Sequence, residues 1–228
     1  GPPNTQLNQL GLQTNMIAQA TYYKKKRETF NENFRLRIHR SLSWLKQAEQ
    51  IEELDFKFIS LWIAFNAAYA REIEDIPIGD KATFNEFIMR ICALDEEHQV
   101  YNLIWQKFSG SIRLLLDNKY IFQPFWDFHN GKISETEWEK AFFLAKDKLL
   151  YALEEKKTDK VLTGLFQRLY TLRNQILHGG STFNSKVNRE QVKDGCNILS
   201  FLIPVMLEIM MKHHDDIEWG KPFYPVIN

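Results

Sequence analysis

Hydrophobic side chains recur at every third or fourth position along most of the chain, which is the spacing of one face of an α-helix. From Thr29 onward this pattern predicts a first helix of about 20 residues, with an apolar face made of Phe34, Ile38, Leu42 and Leu45. A second helix is predicted from Glu52 to Ile73. The segment Ile76-Pro77-Ile78-Gly79 is expected to end it, because proline and glycine both interrupt helical hydrogen bonding.

The remaining helices are predicted from the same periodicity together with capping residues and glycine stops. The third helix is predicted to begin near Lys81 after an Asp80 cap, and the fourth to run from Glu97 to about Asn118 with an interruption near Ser109. The fifth is predicted from a Ser134–Glu137 capping box to about Glu155, and the sixth from a Thr158 or Asp159 cap to Gly179-Gly180. The last is predicted from Val192 to His213, with a kink at Pro204. The aromatic segment from Tyr120 to Gly131 is expected to be an irregular connection. The predicted fold is all-α, with antiparallel helices forming one domain over residues 28–228.

Residues 1–27 are expected to lie outside that domain. Gly1-Pro2 resembles the remnant of a cleaved affinity tag, and residues 3–27 read as a polar arm that ends in the basic run Lys24–Arg27. That run is either a flexible, solvated segment or a contact for RNA phosphates, since basic runs bind phosphates without regard to sequence.

Composition narrows the function classes. The 29 Lys and Arg residues balance 29 Asp and Glu residues, which argues against a protein that coats nucleic acid through its overall field. Only Cys92 and Cys196 occur, so neither a disulfide framework nor a cysteine-based zinc cluster is expected, and a cytoplasmic location is favoured. The longest apolar run, Ile198 to Met211, is broken by Ser200, Pro204 and Glu208, so no membrane span is predicted.

The segment that suggests chemistry is Leu162 to Gly180, LTGLFQRLYTLRNQILHGG. Leucines spaced by three and four mark a buried face, and Arg173 lies on or beside it. His178 follows five residues later, in the last turn of the helix, about 140° around the axis from Arg173. Asn174 lies between them. Arginine is suited to bind an anion, and histidine can accept or donate a proton near neutral pH.

An arginine followed by four to six residues and a histidine on an all-helical chain resembles the ribonucleases of the HEPN superfamily. Arg173-Asn174-Gln175-Ile176-Leu177-His178 has the four-residue form of that motif. The stretch Leu61-Trp62-Ile63-Ala64-Phe65-Asn66-Ala67-Ala68-Tyr69 is similar to the early helix of bacterial branches such as the Apea-like group. The resemblance covers residues 30–214. Gly180 stands where one branch carries a tyrosine as a modification target, so regulation by that route is not expected.

The resemblance implies an endoribonuclease that needs no metal or cofactor. Arg173 and His178 would be the catalytic residues, with Asn174 as support, in a cleft shared by two copies of the chain. The implied partners are an RNA substrate, a second copy, and a cognate antitoxin or another defence-system protein. A toxin–antitoxin or antiviral role follows from the resemblance alone.

Other interpretations remain open at the level of sequence. Asn66 either supports the site or makes an ordinary core hydrogen bond. Arg173 and His178 are alternatively a helix-end ion pair or cap. The aromatic residues between Tyr120 and Phe128 are expected to pack rather than to stack bases, and His213-His214-Asp215-Asp216 to be a solvated helix end rather than a metal site. The alternative function is a non-catalytic helical module that dimerises or binds a partner or nucleotide.

Overall fold

The fold is described from a computed structural model that covers residues 18–70, 80–222, 224, 225 and 227, with the backbone alone described at residues 80–83. Within these ranges the regular structure is helical and no strand occurs. The all-α class predicted from the hydrophobic periodicity is therefore confirmed for the described residues.

Ten α-helices can be followed through the described residues. They are α1 (18–26), α2 (Glu32–Gln50), α3 (Leu54–Tyr69), α4 (Asp80–Ala93), α5 (Gln99–Asn102), α6 (Ser109–Leu116), α7 (Gln123–His129), α8 (Glu135–Glu154), α9 (Thr158–Leu177) and α10 (Arg189–Lys212). Short 3₁₀ turns occupy Arg27–Thr29 and Lys119–Ile121, and a π-helical turn occupies Leu103–Lys107.

The chain divides into two compact units. The first comprises Gly1–Phe87 and Cys196–Asn228, of which the described residues are discussed, and its core is strongly aromatic. The rings that pack there within about 6.5 Å of a neighbour are Trp62, Phe65, Tyr69, Phe84 and Phe87.

A buried cation closes the C-terminal end of α3 in this unit. Arg37 has no exposed surface, and its Nη1 donates hydrogen bonds to the carbonyl oxygens of Ala68 at 3.1 Å and Ala70 at 2.5 Å. Its Nη2 donates to the carbonyl of Gly220 at 3.1 Å. A positive charge is favourable here because the last carbonyls of a helix are unpaired and carry partial negative charge.

The second unit, Ile88–Gly195, contains α9, which packs against α6, α8 and the 3₁₀ turn Lys119–Ile121. The leucine stripe of α9 is buried as predicted, with no exposed surface at Leu162, Leu165, Leu169 and Leu172. The capping prediction for α8 is also confirmed in part, since Ser134 Oγ accepts a hydrogen bond from the Glu137 backbone N–H at 3.1 Å.

Two local predictions are wrong. Residues 123–129 form helix α7 instead of an irregular connection, because Pro124 lies in the first turn, where its missing N–H costs no hydrogen bond. Neither Thr158 nor Asp159 is the N-cap of α9. Thr158 is its first residue, and Thr158 Oγ1 accepts a hydrogen bond from Trp105 Nε1 at 3.0 Å. The N-cap is Lys157, which makes no capping hydrogen bond.

Three helix boundaries differ by a few residues from the prediction. Helix α3 ends at Tyr69, while Ile73 and the predicted stop at residues 76–79 lie outside the described residues. The helix expected to start near Lys81 begins at Asp80 itself. The interruption predicted near Ser109 is found at Phe108, directly after the π-helical turn.

Helix α10 begins at Arg189, three residues before the predicted start at Val192, and ends at Lys212. By length and composition alone it is able to cross a membrane, because an 18-residue window has a mean hydropathy of 1.5. This differs from the expectation based on Ser200, Pro204 and Glu208. The core helix of a soluble protein passes the same test, and 83% of the window is buried inside the structure, so the finding is weak evidence for a span.

Candidate functional site at the end of helix α9

Two glycines determine how α9 ends. Gly179 adopts a φ of +68°, a left-handed conformation in which a side chain is strained. Its N–H donates to the carbonyl of Ile176 at 3.3 Å, and the N–H of Gly180 donates to the carbonyl of Gln175 at 2.7 Å. This is the Schellman arrangement, so the stop predicted from Gly179-Gly180 is confirmed. A Cβ at Gly180 would lie 3.1 Å from the Gln175 carbonyl oxygen, which favours glycine there as well.

His178 is the C-cap residue that this turn holds in place. Its backbone N–H still donates to the Asn174 carbonyl at 2.9 Å, so its main chain continues the helical pattern. Its side chain is exposed, and no hydrogen bond or ion pair to it is found within the described part of the chain. The backbone is therefore anchored while the imidazole is open to a ligand or to a second protein chain.

Arg173 lies on the last full turns of the same helix and is half-buried. Its Nη1 donates a hydrogen bond to Asn174 Oδ1 at 2.6 Å, and its guanidinium carbon lies 5.6 Å from the centre of the Tyr170 ring. Its Nε is buried and has no hydrogen-bond partner. The amide of Asn174 and the ring of Tyr170 thus orient a guanidinium that retains an unused donor.

The structure brings some of the predicted residues together. Arg173 and Asn174 form a hydrogen-bonded pair, whereas no hydrogen bond within the described residues joins His178 to either side chain. Asn66 belongs to the first compact unit, where it is half-buried and lines a cavity of about 400 Å³ with Arg40. Its role as support for Arg173 stays a prediction.

Apolar side chains are exposed on both sides of His178 in the sequence. Leu177 is 50% exposed, Phe183 67% and Val187 86%. Exposed apolar residues that occur singly are ordinary on protein surfaces. Leu177, Phe183 and Val187 lie within eleven positions of the chain that also include the accessible imidazole of His178, so apolar surface is available there for another molecule to cover.

A buried arginine on α9 was not predicted from the sequence, although its spacing from the leucines indicates it. Arg168 follows Leu165 by three residues and precedes Leu172 by four, so it lies on the buried face of α9. Its side chain is only 7% exposed. No histidine follows Arg168 after four to six residues, so the arginine–histidine spacing does not indicate it.

Metal ligation has little support in the described part of the chain, where no group of three or more His, Cys, Asp and Glu side chains is arranged to hold an ion. The two C-terminal histidines make separate local contacts. His213 Nδ1 lies 2.6 Å from Asp216 Oδ2, and His214 Nδ1 lies 3.1 Å from Asp215 Oδ1. Each imidazole is thus turned to its own carboxylate.

No protein-family model, curated protein or solved structure matches this chain. A function is therefore inferred from the residues and geometry of the site itself.

Proposed function

We propose that the protein is a metal-independent endoribonuclease with a HEPN-like helical bundle, acting as a homodimer in the cytoplasm in a toxin–antitoxin or antiviral setting. Arg173 and His178 of both copies would share one cleft, with Asn174 as a supporting residue. The observation that carries the proposal is the end of α9, where an anchored backbone presents an exposed imidazole five residues after an arginine oriented by Asn174.

The chemistry suits these two side chains. A neutral imidazole removes the proton of a ribose 2′-hydroxyl, whose oxygen then attacks the adjacent phosphorus. The bond from phosphorus to the 5′-oxygen breaks, and an imidazolium protonates that oxygen, which leaves a 2′,3′-cyclic phosphate and a 5′-hydroxyl. The Arg173 guanidinium stabilises the negative charge that accumulates on the phosphate oxygens, because it is permanently charged and offers several N–H donors.

A second copy supplies what one chain lacks. The reaction needs a proton acceptor and a proton donor at the same time, and this site holds a single histidine, His178. Two-fold pairing brings a second imidazole and a second guanidinium to the same cleft. The exposed apolar side chains of Leu177, Phe183 and Val187 support a contact at this end of α9, since burying them on a partner is favourable.

Cleavage of single-stranded and structured RNA in EDTA tests the proposal. The wild-type protein is expected to cleave, while His178→Ala and Arg173→Ala are expected to lose at least about a hundredfold in rate, the usual contribution of a general acid–base group or an oxyanion partner. Mass spectrometry of the products checks for the cyclic phosphate end.

Matched controls separate chemistry from folding. His39→Ala and Arg113→Ala remove exposed side chains far along the sequence from the motif and are expected to cleave at the wild-type rate. Circular dichroism and sedimentation should show unchanged helicity and oligomeric state for all four variants. A requirement for added metal, or full activity in His178→Ala, would contradict the mechanism. An intact dimer without cleavage would favour the alternative, a non-catalytic module.

A further inference from the structure

A second site is suggested by a cavity between α8 and α9, inside the unit Ile88–Gly195. Its volume is about 410 Å³, within the range of small-molecule binding sites. Four of its lining residues are cationic, namely Lys148, Lys157, Lys160 and Arg168, and no aspartate or glutamate lines it. The cavity therefore has a strongly positive wall on a chain with zero formal net charge.

Arg168 is the most unusual of these cations because it is buried. Its side chain is 7% exposed, and its Nη2 donates one long hydrogen bond, 3.3 Å, to the carbonyl of Leu116. The guanidinium lies 4.4 Å from the centre of the Phe122 ring, and its Nε is buried without a partner. Burial lowers the pKa of Arg168 to about 10, with no carboxylate acting in the opposite direction.

A buried cation without a counter-ion is costly, because it has lost water and gained no opposite charge. The Leu116 carbonyl at the end of α6 and the Phe122 ring offset only part of that cost. A bound anion would supply the missing charge and accept the unused N–H of Arg168. The surrounding lysines point to the same kind of ligand, since Lys148, Lys157 and Lys160 form no ion pair within the described residues.

We propose that this cavity binds a small oligophosphate, a ligand with two or three linked phosphate groups. Four cations balance the two to four negative charges of such a group, whereas one monovalent anion would leave most of them unpaired. The exposed ring of Tyr151, which lies 4.8 Å from Lys157 Nζ, is placed at the rim to contact an attached base. The oligophosphate would come either from a nucleoside di- or triphosphate or from an inorganic polyphosphate.

The cavity is distinct from the candidate ribonuclease site. Arg168 precedes His178 by ten residues, or about 15 Å along a helix axis. Gly164, which lines the cavity, lies about 180° around the helix from Arg173. The two sites can therefore be tested independently, and the oligophosphate site does not depend on RNA cleavage.

Binding is tested by isothermal titration and thermal unfolding of the whole protein with tripolyphosphate, ADP, ATP, AMP and adenosine. Tripolyphosphate, ADP and ATP are expected to bind and to raise the melting temperature, AMP to bind at least about tenfold more weakly, and adenosine not to bind. If ADP and ATP bind more tightly than tripolyphosphate, the natural ligand is a nucleotide. If tripolyphosphate binds more tightly than ADP and ATP, the natural ligand is an inorganic polyphosphate.

Three variants separate binding from folding. Arg168→Met keeps an unbranched apolar stem and removes the buried charge, so it should fold and should weaken tripolyphosphate binding at least about tenfold. Gly164→Glu places a carboxylate four residues before Arg168, where it can pair with the guanidinium and exclude the ligand. Gly164→Gln has the same size without the charge, and a Cβ at this position meets only Leu116 Cδ2 at 3.6 Å.

The expected order of affinity is wild type, then Gly164→Gln, then Gly164→Glu. Equal binding of tripolyphosphate by the wild type and Arg168→Met would overturn the proposal, because the lysines alone would then act as an unspecific cationic surface. Saturable RNA binding that depends on Arg168 and is not displaced by tripolyphosphate would also overturn it, in favour of an RNA contact.

Discussion

Burial controls the chemistry of single residues in this protein, and Cys92 is an example. Burial raises the pKa of the Cys92 thiol to about 12, and the carboxylates of Asp159 and Asp95 add to that effect. Because the thiolate is the nucleophile, a raised pKa leaves almost no reactive form at pH 8. Cys196 is 1% exposed, and its thiol lies 3.6 Å from the Leu54 carbonyl oxygen.

We therefore expect both thiols to resist modification in the folded protein. Labelling with a disulfide reagent at pH 8 should be about a thousandfold slower in the native protein than in guanidinium chloride, where two thiols per chain react. The native rate of Cys92 should rise about tenfold per pH unit up to pH 10, since the thiolate fraction does so below the pKa. Rapid native labelling at pH 8 would show that the thiol is accessible and ionised.

At the scale of an element, the two ends of α9 show what local sequence can and cannot predict. The C-terminal end was predictable, because Gly179 and Gly180 make the turn through their own backbone. The N-terminal end was not, because Thr158 Oγ1 accepts its hydrogen bond from Trp105, 53 positions earlier in the chain. Capping preferences describe local hydrogen bonds. They fail to predict a helix start when a side chain distant in sequence binds the candidate capping residue.

The same helix end allows a prediction that compares two glycines. Gly179→Ala should destabilise the protein by about 1 kcal/mol, because alanine is strained at a φ of +68°. Gly110→Ala, in the first turns of α6 with open space around its Cβ, should stabilise it by about 0.5 kcal/mol. Urea unfolding measures both changes.

RNA cleavage distinguishes the two glycines further. If His178 is catalytic, Gly179→Ala should also slow cleavage, since it disturbs the turn that holds the imidazole, while Gly110→Ala should leave the rate unchanged. Equal stability of Gly179→Ala and wild type would mean that the left-handed turn is not required at this position.

At the scale of the whole molecule, periodicity predicted the helical class and most helix positions, since burying an apolar face dominates the choice of secondary structure. The distribution of cations was less predictable. Arg37 and Arg168 are buried by helices distant in sequence, at the ends of α3 and α6 respectively. The leucine spacing places Arg168 on an apolar face, but it does not show that three lysines line the cavity beside it.

Mixed dimers test whether the proposed ribonuclease site is shared between two chains. Wild-type and His178→Ala chains are co-expressed in equal amounts, so that about a quarter of the dimers carry two intact imidazoles by random pairing. If the shared cleft needs both, activity per mole of chain should fall to about a quarter of the wild-type value, whereas independent sites would retain about a half.

Co-expression with His39→Ala serves as the control and should retain full activity, because that exposed histidine lies on α2, outside the motif. Varying the mixing ratio should make activity follow the square of the wild-type fraction. A linear dependence would place acid and base in one chain, and the single histidine of the motif would then need another proton donor from its own subunit.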